Sequence, residues 1–191
     1  MNEPTTNLLN SFHQAALVER LEYFLIGGFA VSYWGVPRFT ADVDYVTEYG
    51  NLERVKKVTE KLGYTLAFLH PKQSFAHFVS SDKTKFRIDF MLVDQATWQK
   101  LREGASVVDF GGPEPVPIVG PLHLIAMKLH AAKQSDRSDP YKDLNDIVEI
   151  LLAQGILFED LERSGIIEKH GTGTTTAELR RMLESRRQQR R

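Results

Sequence analysis

Residues 42–46, with the sequence DVDYV, place two carboxylates on the same face of a predicted β-strand. Side chains alternate across a strand, so Asp42 and Asp44 share one face and their apolar neighbours take the other. The strand rise puts the Cα atoms of the two acids about 6–7 Å apart. Such a pair is costly without a cation, because the carboxylates repel and each loses hydration. Mg²⁺ or Mn²⁺ would supply that cation and keep coordination positions for water and phosphate.

A second predicted strand, over residues 86–93, carries a further acid. Its sequence, FRIDFMLV, puts Asp89 and Arg87 on the face opposite a row of apolar side chains. Three acids on neighbouring strands suit a two-metal phosphoryl-transfer site, in which two ions are shared and Asp89 also accepts the proton of an attacking hydroxyl. Two simpler interpretations stay open: an isolated Asp-x-Asp often lies at a solvated strand end, and Asp89 could be an ordinary ion-pair partner of Arg87.

A pair of glycines, Gly27 and Gly28, follows the strand-like run YFLI. Glycines allow the backbone to approach phosphate oxygens, with the N–H groups at the start of the next helix facing the anion. Arg38 and Thr40, just before the acids, are candidates for holding phosphate. The alternatives are a tight turn at the glycines and surface positions for Arg38 and Thr40.

The stretch GGFAVSYWGVPRFTADVDYV resembles the signature of the DNA polymerase β-like nucleotidyltransferase superfamily. In that signature a Gly-Gly or Gly-Ser pair precedes Asp-x-Asp or Asp-x-Glu, and a third acid lies on a later strand. The arrangement Arg-x-Thr-x-Asp-x-Asp over residues 38–44 is similar to minimal bacterial members related to the AbiEii-type toxins of type IV toxin–antitoxin systems. The resemblance covers about residues 20–155. One departure is Gly28, where many relatives have a serine whose hydroxyl contacts phosphate.

The second half of the chain carries a less specific resemblance. The segment LIAMKLHAAKQSDRSDPYKDLNDIVEIL is similar to a helical pair in which a lysine and a later Lys/Arg-Asp-Leu complete the nucleotide site. The resemblance implies that Lys128, Lys142 and Asp143 bind nucleotide. From the residues alone, Lys128 borders an apolar stripe and could simply extend its ammonium to water. Lys142 and Asp146, four residues apart, could form only a surface pair.

The resemblance implies a function as well as a fold. It implies Mg²⁺-dependent transfer of a nucleoside monophosphate from an NTP to an acceptor hydroxyl, on tRNA or other RNA, a protein or a small molecule. It also implies a possible toxin with an antitoxin partner. Two alternatives use the same residues differently: a catalytically inactive nucleotide-binding or scaffold protein, and a metal-dependent phosphohydrolase.

The order of elements predicts an α/β (α+β) fold in two parts. Residues 1–120 read as a mixed-sheet nucleotidyltransferase core flanked by helices, with residues 106–120 as an edge strand and a loop. Residues 121–191 read as a helical region that includes helices near 159–169 and 175–190. This region ends in a tail with six arginines from Arg180 to Arg191. Such a tail suits a solvated helix or an RNA backbone.

Composition narrows the classes of protein that fit. The absence of cysteine excludes disulfides and Cys-based zinc sites, and a formal net charge of −1 gives no global attraction to nucleic acid or membrane. The histidine pairs His70/His77 and His123/His130 lack zinc spacing with a third ligand, so core or surface positions are expected. With no long apolar stretch and no signal-like start, we expect a cytoplasmic protein without a membrane partner.

Overall fold

The computed structural model describes residues 3–70, 75–134 and 139–189. The chain has the predicted mixed α/β fold, built on a seven-stranded sheet. It divides into two compact units. The first consists of Met1–Ala30 and Phe39–Gly120, and the second of Val31–Arg38 and Pro121–Arg191. The functional roles predicted for the parts before and after residue 120 stay predictions.

The sheet lies in the first unit and has the strand order β3-β4-β5-β2-β1-β7-β6. The strands are β1 (Phe24–Ile26), β2 (Asp42–Glu48), β3 (Tyr64–Leu69), β4 (Phe75–Ser80), β5 (Arg87–Val93), β6 (Ser106–Val108) and β7 (Val116–Ile118). β2 runs parallel to β5 and β1 runs parallel to β7, whereas the other neighbours are antiparallel. Residues 106–120, predicted as an edge strand and a loop, therefore supply two strands. β6 lies at the edge of the sheet, and β7 lies between β1 and β6, with Val116 and Ile118 fully buried.

Helices account for most of the remaining described residues. The four helices that precede β6 in the chain are α1 (Glu3–Val18), α2 (Gly27–Trp34), α3 (Leu52–Lys61) and α4 (Gln95–Glu103). Those that follow are α5 (Pro121–Ala132), α6 (Pro140–Gln154), α7 (Phe158–Arg163), α8 (Ile166–His170) and α9 (Gly173–Gln189). The single helix predicted near 159–169 is thus two, because Gly165 adopts a left-handed conformation with φ +72° between them.

The ends of α6 follow the sequence signals. The Asp139 side chain accepts a hydrogen bond from the backbone N–H of Lys142 at 3.1 Å, and Pro140 occupies the first turn. Gly155, with φ +64°, ends the helix in the left-handed conformation. Ser138, whose hydroxyl is also suited to cap this helix by its residue type, lies outside the described residues. Across the described parts of the chain, no helix combines the length and apolar character needed to cross a membrane.

An aromatic cluster anchors one face of the central strands. The ring of Phe12 on α1 stacks on Tyr45 of β2, with centroids 4.1 Å apart, and Tyr45 lies 5.3 Å from the ring of Phe90 on β5. A one-residue slip of either strand would bring its acids into this core. The packing of the apolar face therefore fixes which residues appear on the opposite face.

Candidate active site

Three carboxylates meet on the face of β2 and β5 opposite the aromatic cluster. The parallel register pairs Asp44 directly with Asp89, and Asp42 lies two residues earlier on the same face as Asp44. One carboxylate oxygen from each acid lies within 4.8 Å of the other two. Asp42 and Asp44 are half-buried, whereas Asp89 is only 7% exposed. The sequence predicted this grouping, and the catalytic and metal-binding roles of the three acids stay predictions.

The acidic cluster, formed by Asp42, Asp44 and Asp89, fits a divalent cation by its chemistry. Carboxylate oxygens are the ligands that Mg²⁺ and Mn²⁺ prefer. Their mutual separation of at most 4.8 Å allows one ion to contact several of them. The fit therefore rests on the donor type and the spacing of the three acids.

Arg87 compensates part of the negative charge of the acidic cluster. Its Nε lies 2.8 and 2.9 Å from the two carboxylate oxygens of Asp89, and an Nη atom donates to Oδ2 of Asp42 at 3.0 Å. The hydrogen bond to Asp89 raises the pKa of the Arg87 guanidinium, although burial opposes the shift. The ion pair considered from the sequence is therefore present, and Asp89 belongs to the acidic cluster at the same time.

His77 is a contact of Asp89 that the sequence analysis missed. The two residues lie opposite each other on β4 and β5, and Nδ1 of His77 is 2.7 Å from Oδ1 of Asp89. The spacing of His77 does not suit zinc and predicts only a core or surface position. The usable signal was alternation: His77 lies between two buried residues, Ala76 and Phe78, and therefore faces the same side as the acids.

The two glycines pack closely against the acidic strand and the loop before it. Gly27 has φ +62°, and a Cβ atom there would come 1.9 Å from Oδ2 of Asp44. A Cβ atom on Gly28 would come 2.6 Å from the hydroxyl oxygen of Thr40. That hydroxyl donates a hydrogen bond to Oδ1 of Asp42 at 2.7 Å. Glycine is thus required for space as well as conformation, while phosphate binding by Gly27, Gly28 and Thr40 stays a prediction.

The second unit contains a separate buried ion cluster. Nζ of Lys128 lies 2.8 Å from Oδ1 of Asp143 and 2.8 Å from Oδ2 of Asp146. Both carboxylates are almost fully buried, and Lys128 is 9% exposed. The Lys128 ammonium therefore contacts two carboxylates and does not extend into water, as the sequence alone had allowed. Asp146 is a partner that the sequence analysis did not assign to Lys128.

Arg38 completes this ion cluster. Its Nε lies 3.0 Å from Oδ1 of Asp146 and an Nη atom lies 3.1 Å from Oδ2, so the guanidinium contacts both oxygens. Lys128 and Arg38 thus both contact Asp146, and Lys128 also contacts Asp143. Lys142 is exposed, and because Asp146 is buried the surface pair considered between them is wrong. Nucleotide binding by Arg38, Lys128, Lys142 and Asp143 stays a prediction.

Replacing Arg87 by glutamine should make the stability of the first unit depend more strongly on divalent cations. Without the guanidinium, the like charges of the acidic cluster are less compensated, and we expect the free energy of unfolding to fall by about 1 kcal/mol for this half-exposed group. Mg²⁺ should then raise the melting temperature more in Arg87→Gln than in the wild type. Thermal denaturation at constant ionic strength, with and without MgCl₂, measures both effects.

The control is Arg102→Gln, which removes the same charge from a surface pair with Glu22 in the same unit. This variant should show the Mg²⁺-induced shift of the wild type. Equal shifts in all three proteins would contradict the role assigned to Arg87.

Comparison with known proteins places the fold. No protein-family model and no curated protein matches the sequence. Among solved structures, the chain matches ANT(2'')-Ia in complex with adenylyl-2''-tobramycin at 15% identity and a TM-score of 0.62, over 93% of this chain and 98% of that one. It also matches an antigenic nucleotidyltransferase-like protein from Paracoccidioides brasiliensis at 13% identity and a TM-score of 0.53, over 89% and 95% of the two chains.

The likeness extends over nearly the whole length of these proteins, and at such low identity it concerns the fold. The closer relation to AbiEii-type proteins stays a prediction. In its fold, this chain is similar to ANT(2'')-Ia and to a nucleotidyltransferase-like protein, and membership of the DNA polymerase β-like superfamily stays a prediction from the sequence signature.

Proposed function

We propose that the protein is a Mg²⁺-dependent nucleotidyltransferase that moves a nucleoside monophosphate from an NTP to an acceptor hydroxyl. The observation that carries this proposal is the acidic cluster, whose three carboxylates come from two paired strands and lie within 4.8 Å of one another. The fold supports it, since one neighbour of the same fold was solved with adenylyl-2''-tobramycin. The complete set of acids favours catalysis over the inactive scaffold.

The proposed reaction assigns a role to each element of the cluster. The acceptor oxygen forms a bond to the α-phosphorus, the bond from that phosphorus to pyrophosphate breaks, and Asp89 accepts the acceptor's proton. Asp42, Asp44 and Asp89 would hold one or two divalent ions, which supply charge compensation for the phosphates. The backbone at Gly27 and Gly28 would lie against phosphate oxygens. Arg38, Thr40, Lys128, Lys142 and Asp143 are proposed nucleotide-binding residues by resemblance.

The β3–β4 hairpin suggests the acceptor. It carries His77, the neighbour of Asp89, and its residues 62–80 contain no aspartate or glutamate. Phe68 and Phe75 on this hairpin are substantially exposed. Exposed aromatic rings on a hairpin that carries no acid of its own suit bases of a single-stranded nucleic acid, whereas a polycationic small molecule would favour carboxylates on the surface that binds it. We therefore propose an RNA acceptor, tRNA included. A toxin role with an antitoxin partner is proposed on the resemblance alone.

The basic tail contributes less to this proposal than its sequence suggests. On α9, Arg180 pairs with Glu162 at 2.6 Å, and Arg186 lies 3.4 Å from Glu149. These contacts compensate part of the positive charge within the second unit. The proposal of an RNA acceptor therefore depends on the hairpin.

Transfer to RNA is tested by incubating the protein with each α-³²P-labelled NTP, total cellular RNA and a protein lysate, with Mg²⁺ or EDTA. We expect one NTP to label RNA in Mg²⁺ and none to do so in EDTA, because the acidic cluster needs the cation. Label on a protein or a small molecule would overturn the RNA acceptor but not the transfer reaction.

Two further outcomes would contradict transfer itself. Nucleotide binding without pyrophosphate release would favour the inactive scaffold. Inorganic phosphate or shortened strands without labelled acceptor would favour the phosphohydrolase.

A further inference from the structure

Three side chains form a row across β3, β4 and β5 next to the acidic cluster. The sheet register pairs Phe68 with His77, and His77 with Asp89. The rings of Phe68 and His77 are stacked, with centroids 5.8 Å apart and an angle of 21° between their planes. The register of β3 shifts between Leu66 and Phe68. Because such an irregularity re-aims the side chains that follow it, it brings the Phe68 ring onto the imidazole.

The contact of His77 with Asp89 is a hydrogen bond donated by Nδ1 of the imidazole. An ionised carboxylate only accepts hydrogen bonds, so Nδ1 of His77 donates to Oδ1 of Asp89 across 2.7 Å. The imidazole is bonded to Asp89 through Nδ1 and packed against Phe68 through its face. Its position is therefore restrained from both sides.

Arg87 also contacts Asp89, but unlike His77 it contacts Asp42 as well. Arg87 is half-exposed and also bonds Asp42, so its guanidinium occupies the space where a cation would compensate the same charges. His77 bonds Asp89 alone of the three acids and uses one lone pair of one oxygen. Arg87 contacts both oxygens of Asp89 in this structure, and when a cation displaces the guanidinium, the single hydrogen bond from His77 leaves lone pairs on both oxygens for the cation or a proton.

We propose that His77 is a positioning residue that holds Asp89 in the orientation in which its carboxylate joins Asp42 and Asp44. It acts through Asp89 and does not touch the reacting atoms. Hydrogen bonds to a metal-binding carboxylate orient it in the same way that outer contacts orient other metal ligands. The inference rests on the proposed function, because it assigns Asp89 to the cation and the acceptor proton.

The test compares His77→Leu, which removes the hydrogen bond, with His77→Asn, whose amide can donate from near the position of Nδ1. Mn²⁺ affinity is measured by electron paramagnetic resonance, and transfer is measured as kcat and as KM for the NTP. We expect His77→Leu to weaken Mn²⁺ binding and lower kcat by about 10–100-fold each, with KM changed less than twofold. His77→Asn should recover most of both losses.

Val79→Thr is the matched control. Val79 lies two residues from His77 on the same strand and face, is 40% exposed, and has nearly the shape of threonine. Its Mn²⁺ affinity and kcat should equal those of the wild type.

Wild-type Mn²⁺ affinity in His77→Leu would overturn the proposal, as would a folded His77→Asn that is no better than His77→Leu. If His77→Leu does not fold, His77→Gln replaces it, since its amide reaches the position of Nε2 instead; equal Mn²⁺ affinities of the Asn and Gln variants would then overturn the proposal. If the wild type transfers no nucleotide, the proposed function fails, whereas the Mn²⁺ titrations still decide the role of His77.

Discussion

Asp44→Asn should lower the kcat of nucleotide transfer by about 10²–10³-fold, the scale on which removal of one preorganised charge-stabilising group acts. Asparagine keeps the volume that packs against Gly27 and removes only the charge. The acidic cluster would then have two carboxylates and a weaker attraction for cations. Steady-state kinetics and Mn²⁺ titration measure the two effects.

The fold should survive this change. Removing one of three repelling charges leaves the melting temperature without metal equal to or above that of the wild type. Asp94→Asn is the control, because it removes a charge from the N-cap of α4 while asparagine remains a good cap. An Asp44→Asn variant with wild-type kcat and Mn²⁺ affinity would contradict the proposed function.

Lys128→Met should lower the free energy of unfolding by about 3–5 kcal/mol, because it leaves buried carboxylates without their ammonium. Asp143 is fully buried, and Asp146 keeps its contact with Arg38 in this variant. Methionine preserves the length of the side chain, which limits the effect of a cavity. Urea denaturation monitored by circular dichroism measures the change.

A double variant separates charge from packing. Adding Asp143→Asn to Lys128→Met neutralises the carboxylate that Lys128 contacts in the wild type and should recover part of the lost stability. Lys142→Met, at an exposed position on α6, should change stability by less than about 0.5 kcal/mol. Wild-type stability of Lys128→Met would show that the ion cluster does not support the fold.

Local periodicity explains what the sequence could predict of the site. Side chains alternate between the two faces of a strand, so the order of residues within β2 and β5 shows which of them share a face. The acidic face with Asp42, Asp44 and Asp89 could therefore be predicted before the strand pairing was known. The contacts of Arg87 with Asp42, and of His77 with Asp89, depend on which strands pair and on side-chain rotamers. A single sequence does not encode those directly.

The same limit applies to two elements of the fold. Gly and Pro around β7 favoured a loop, yet the burial of Val116 and Ile118 beside β1 outweighed those local signals. Asp146 was considered only with its near neighbour Lys142, whereas its partners, Lys128 and Arg38, come from distant positions in the chain. The spacing of residues along the chain predicts which side chains share one face of a strand or helix. Tertiary packing determines which distant residues those side chains contact.

The close approach of Gly28 to Thr40 explains why this chain has glycine where the Gly-Ser form of the resembling signature has serine. Serine at position 28 would bring its Cβ within 2.6 Å of the Thr40 hydroxyl, so the two side chains exclude each other. The threonine hydroxyl instead comes from the loop and bonds Asp42. We therefore expect a homologue with serine at position 28 to carry a smaller residue at position 40, and a Gly28→Ser variant to need a smaller residue at position 40.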